Sequence, residues 1–170
     1  MVISSDGEAS RNYGKNQPSR SFSLTPISQI SGEDDNETKE LHELYAEAKE
    51  FLLKFRWCTK IKCAHLGYGV GGVLGVFYIE IEPDSIDIER HLWVIVGDIP
   101  SAYIVIDKAK STVQAIRIYI KLFREWVEAI KTGASVQGLM PANAPPTLDN
   151  AILLESRLIF LEKNIVPYVQ

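Results

Sequence analysis

The side chains most suited to chemistry are few. Cys58, Cys63 and His65 lie within eight residues, with His91 further along. A structural zinc site needs four well-placed ligands. A nucleophilic thiol needs a lowered pKa and an orienting third group. Cys58 and Cys63 are separated by an odd number of steps, so on one strand they point to opposite faces and do not pair as a disulfide. Cys63 and His65 share a face, and only His91 can join them from a neighbouring strand. The pattern therefore predicts two reduced thiols, no metal and no cofactor. As acid/base groups, His65, His91 and Asp98 are the available candidates, but no spacing of Asp, Glu and His repeats a recognisable acid/base arrangement, so no catalytic residue is assigned.

Gly67-Tyr68-Gly69-Val70-Gly71-Gly72 matches the letter of a dinucleotide fingerprint. That fingerprint must leave a strand and open a helix, and the following Val73 to Glu82 reads as a strand. A glycine-rich hairpin is expected instead, with a flexible loop that shapes a binding edge. The densest charge lies in Glu80, Glu82, Asp84, Asp87 and Glu89, five acids with no intervening base. Such a cluster can steer a basic partner, and Glu80, Glu82, Asp84 and Asp87 are the candidate partner-binding residues. The plain alternative is a solvated loop with Glu80 facing Lys60 across the hairpin. Asp98 suits an Asx-type turn, and Asp107 precedes a helix, where acids are favourable.

The elements that must position these groups follow from periodicity. Residues 1–37 are rich in Ser, Asn, Gly and charge and read as a flexible polar arm, within which Phe22 to Ile30 is a candidate docking segment. Residues 38–170 read as a single α+β domain. From Thr38, Leu41, Leu44, Tyr45, Ala48, Phe51, Leu52 and Phe55 mark one face of a helix. Trp57 to Leu66 and Val73 to Glu82 form a hairpin centred near Val70, which pairs Lys60 with Glu80 and Ile61 with Ile79. Trp57, Thr59, Ile61 and Cys63 then share a face with Phe77, Ile79 and Ile81.

His91 to Val96 is apolar on both faces and suits a central strand. Ala102 to Ile106 follows as a fourth, with Trp93, Ile95, Tyr103 and Val105 on one side. The simplest order is a four-stranded antiparallel meander, and a crossed order is the alternative. Two amphipathic helices complete the chain: one opened by a capping box at Ser111 to Gln114 and stopped at Gly133, the other capped by Thr147 and closed before Pro167. An apolar patch left over on the sheet would suit a homodimer or another partner.

The net charge of −4 belongs mostly to the arm, which holds six acids and three bases against sixteen and fifteen in the remainder. A nearly neutral domain gives no steering towards nucleic acid. No run is apolar and long enough to cross a membrane, and the beginning of the chain lacks the apolar stretch of a secretory signal, so cytoplasmic residence is expected.

The run His91 to Ile106, the helix through Tyr119 and Trp126, and the terminal Arg157-Leu-Ile-Phe-Leu helix resemble small bacterial proteins of the immunity and antitoxin kind over residues 91–165. The resemblance implies a non-enzymatic cytoplasmic protein that occludes another protein, such as a toxin, and it assigns no functional residues. The alternative is a small enzyme or ligand-binding domain using a pocket between the glycine hairpin and the helices.

Overall fold

The computed structural model describes residues 23–170; the first 22 residues, which hold most of the predicted arm, lie outside the described residues. The fold is α+β. An antiparallel sheet of five strands runs in chain order: β1 (Thr25–Pro26), β2 (Cys58–Val70), β3 (Leu74–Pro83), β4 (His91–Gly97) and β5 (Ala102–Val105). The meander is as predicted, but the sheet has one strand more than the expected four. The addition is β1, which pairs Thr25 with Leu66 and Pro26 with His65 along the outer side of β2. A 3-10 turn over Ile27–Gln29 follows, and Ile30 is buried.

Helix α1 (Asp35–Leu53) starts a few residues before Thr38, because the Asp34 carboxylate accepts from the Glu37 amide and caps it. Helix α2 (Thr112–Thr132) has the predicted Ser111 cap, which accepts from Gln114 N. The other half of the capping box is displaced: Gln114 Oε1 accepts from Lys110 N, one residue before the cap. Helix α3 (Leu148–Phe160) is capped by Thr147 and continues through a π turn over Leu161–Ile165.

The hairpin register corrects the expected one. Lys60 pairs with Glu82 and Ile61 with Ile81, two residues beyond the predicted partners, while Cys63 pairs with Glu80 and Leu66 with Phe77. Register shifts between Cys58 and Lys60, Ile61 and Cys63, and Leu66 and Tyr68 each place an extra residue on β2. Every bulge inverts the alternation beyond it, so Cys63 lies on the face of Tyr78 and Glu80 and not with Ile61, Phe77 and Ile79.

The turn is also tighter than expected. Most of the glycine run belongs to β2, and the chain reverses only over Gly71–Val73, with Val73 N donating to Val70 O. At the third bulge a Cβ on Gly67 would stand 2.7 Å from Thr112 Oγ1 and 3.0 Å from the Trp93 ring. Glycine here is a condition of bringing α2 down on the sheet, so the expected flexible binding loop is a packed strand end.

Two cores result. On one face Leu74, Val76, Tyr78, Trp93, Ile95, Ala102 and Ile104 pack beneath α2 and α3. On the other, Phe77, Ile79, Ile81, Leu92, Val94 and Val96 pack beneath α1 through Leu41, Leu44, Ala48 and Leu52. In β5 the expected parity is reversed, because Val94 pairs with Tyr103 and Trp93 with Ile104. Tyr103 thereby joins Phe55 and Trp57, with ring centroids 5.4 and 5.1 Å away, on the α1 side. The small Ala102 takes the space under α2. The helices cover both faces of the sheet, and the large apolar side chains left in solvent are concentrated on α3 instead.

Candidate functional site

The bulged register gathers the candidate groups at one end of the sheet. Cys63, His65, Tyr78, Glu80 and His91 occupy neighbouring positions on three strands, since Cys63 pairs with Glu80, His65 with Tyr78, and Glu80 with His91. Tyr78 is buried, and its hydroxyl lies 2.8 Å from His91 Nδ1, with the two rings stacked at 5.8 Å. Tyr78 also meets Trp93 edge-on at 5.4 Å, and Trp93 Nε1 donates to Ala109 O at 2.9 Å, just before α2. Among the described residues His65 Nδ1, which is buried, has no hydrogen-bond partner, and neither has Thr112 Oγ1. This is a packed polar layer spread over three strands beside a helix start.

Its chemistry is subdued. Cys63 donates to a Glu80 carboxylate oxygen at 3.5 Å. Desolvation first, then the hydrogen bond and negative charge of Glu80, push the thiol above its ordinary value. At neutral pH it is held as the weakly nucleophilic thiol. Cys58 is buried on the opposite face, as the odd spacing predicted, and burial raises its thiol too. Both cysteines are free. Among the described residues no three His, Cys, Asp or Glu side chains converge to hold a metal ion.

Glu80 links this layer to the acidic connection between β3 and β4. It is half-buried, and Lys62 Nζ stands 3.7 Å from its carboxylate; the expected partner, Lys60, lies opposite Glu82. Glu89 turns inward and accepts from the His91 amide at 2.9 Å. The other three candidates project outward: Glu82, Asp84 and Asp87 are exposed, and none has an ion-pair partner among the described residues. Asp84 N donates to Trp57 O, and Asp87 N to Ser85 Oγ, so the backbone of the connection is fixed at both residues.

Between those two aspartates stands Ile86, 88% exposed. Sequence reasoning missed it, although an isolated isoleucine in Pro83-Asp-Ser-Ile-Asp was the signal. A large aliphatic side chain at the tip of a polar connection contributes nothing to the core.

Asp98 is remote from this end. It lies in the β4–β5 connection, where its carboxylate receives a two-pronged contact from Arg157 at 3.0 to 3.2 Å in place of the predicted Asx turn. Asp107 pairs with Lys110 at 3.2 Å. A groove of about 1040 Å³ runs along α2 between Arg117 and Glu128 and reaches Glu155, Glu162 and Val166. It holds none of His65, His91 and Asp98. The space between the glycine hairpin and the helices is filled at Gly67 by Thr112 and Trp93. No helix of the described residues is long and apolar enough to cross a membrane.

Comparison of the chain with protein-family models, with curated proteins and with solved structures finds no match.

Proposed function

We propose that this chain is a non-enzymatic protein-binding domain of the immunity or antitoxin kind, which captures a basic partner protein on the acidic connection between β3 and β4. The observation that carries the reading is the exposed Ile86, rimmed by Asp84, Asp87 and Glu82, whose charges are not spent on ion pairs within the domain. Unpaired rim charges accelerate encounter with a basic surface. A central aliphatic anchor supplies the desolvated contact from which most binding energy comes. Glu80 plays a different part from the one expected of it: tied to Cys63 and Lys62, it buttresses the base of the connection.

The enzyme reading has less support. Tyr78 occupies His91 Nδ1, Arg157 neutralises Asp98, and the Cys63 thiol is held protonated. These groups are engaged in the packing of the domain.

The test is affinity capture with the wild-type chain, with Ile86→Asp, and with the double variant Asp84→Lys/Asp87→Lys. The expected result is a basic protein retained by the wild type, lost from both variants, and released by raised salt. A partner retained equally by all three baits would remove the surface assignment.

A further inference from the structure

Helix α3 carries a second, separate surface. A helix turns about 100° per residue, so the side away from the buried Ala151, Leu154 and Leu158 presents Ile152, Leu153, Ser156, Ile159 and Phe160. Four of these five are large and apolar, and they stand in solvent: Ile152 is 51% exposed, Leu153 55% and Phe160 44%. A helix whose solvent face is this apolar is covered by something in its working state.

The order of residues along the face says what covers it. Ile152 and Phe160 lie four residues either side of Ser156, Leu153 and Ile159 lie three either side, and Asp149 and Lys163 lie seven either side. The outer pair is exposed, opposite in charge, and without an ion-pair partner among the described residues. Such an arrangement is self-complementary under one operation only, a two-fold axis through Ser156 that brings a second α3 alongside in the opposite direction.

We propose that this chain forms a homodimer by antiparallel pairing of α3 with α3 of a second copy about Ser156. Ile152 then meets Phe160 of the other copy, Leu153 meets Ile159, and Asp149 meets Lys163, each contact occurring twice. Ser156, the smallest side chain of the face, lies at the crossing and allows close approach of the helices. Beside it a hollow of about 350 Å³, lined by Val73, Ile99, Leu153, Phe160 and the Asp98–Arg157 ion pair, lies towards the Phe160 end and faces Ile152 of the second copy. Opposed helix dipoles and the acid-to-base ends favour the antiparallel sense. Arg157 of α3 reaches Asp98 just past the end of β4 that lies away from the acidic connection, so the dimer would present two acidic sites.

Sedimentation velocity of the full 170-residue chain over about 1 to 100 µM, a range that brackets ordinary dimer affinities, is the primary measurement. The wild type should sediment as a dimer at the upper end. Asp149→Lys should weaken the dimer about tenfold, because the axis applies each reversed charge twice. The double swap Asp149→Lys/Lys163→Asp should restore it. Ser156→Cys in a Cys63→Ser background should cross-link on mild oxidation, since the new thiols face each other on the axis. All substituted positions except Cys63 lie on the exposed side of α3 or just beyond it, and circular dichroism checks that each variant is folded. A monomer at every concentration overturns the proposal. So does a dimer that Asp149→Lys leaves intact, that the double swap does not restore, or that Ser156→Cys does not trap.

Discussion

At the scale of single residues, the instructive contact is Cys63 with Glu80. An exposed cysteine is ordinarily an easy target for alkylation, but here partial desolvation and a neighbouring carboxylate both favour the neutral thiol. Glu80→Gln removes the negative charge, lowers the thiol pKa, and should raise the rate of iodoacetamide alkylation about threefold near pH 8, where thiolate fraction sets the rate. Buried Cys58 serves as the slow internal reference. An unchanged rate profile would mean that Glu80 does not govern the thiol. The sequence displayed both side chains but not their contact. An unbroken alternation along β2 puts Cys63 on the far face, and only the bulge at Lys62 brings it round.

At the scale of elements, bulges and tight connections decide what alternation alone cannot. The inward apolar residues Cys58, Ile61, Ala64 and Leu66 are spaced by three, three and two. Those two threes are the written trace of two extra residues, and an even-handed period-two reading smooths them away. The meander order and the buried stripes of the three helices were legible, because each stripe repeats over several turns and a short connection leaves a strand little choice of neighbour. The phase of β5 was not legible: it depends on how five residues turn between Gly97 and Ser101, and packing settled it by giving Tyr103 the roomier aromatic cluster. Gly97 itself is the critical position of that turn. Its φ is +130°, and a Cβ there would stand 2.2 Å from Val73 O, a backbone atom that cannot swing aside. Gly97→Ala should therefore cost about 3 kcal/mol or more, by strain and by displacement of the hairpin turn. A urea titration checks this, with a loss below about 1 kcal/mol counting against the reading.

For the whole molecule, five thiols and phenols share a direction. Tyr45, Cys58, Cys63, Tyr68 and Tyr119 all have a pKa raised in the fold, each with burial as the first cause. A raised value means that the native state binds more protons than the unfolded chain, so stability falls with rising pH in that range. Their contribution is fully present below the ordinary thiol and phenol values, about 9 to 10, and is lost as pH climbs past them. Denaturant midpoints measured from neutral to about pH 11 should decline steadily above about pH 9. A flat profile would contradict the burial of Tyr119 in particular. On the acid side Glu162, lowered chiefly by its hydrogen bond to Arg124, has the opposite sign. Its contribution is present above the ordinary carboxylate value and lost as pH falls, but solvent screening of that exposed pair keeps it small.

One further property follows from the outer edge of β2. Among the described residues strand β1 pairs with it only at His65 and Leu66, and the Cys58 amide donates to Phe55 O, so the outward amides and carbonyls from Thr59 to Ala64 face the surroundings. In an ordinary flat strand that stretch would be a template for another chain to add to, and repetition of the step would end in fibres. Here Thr59 and Lys62 are bulge residues that spoil the spacing of the free groups, and Lys60 and Lys62 hold charge beside them. The irregularities that conceal the register from a reader of the sequence thus leave a passing strand no regular ladder to join.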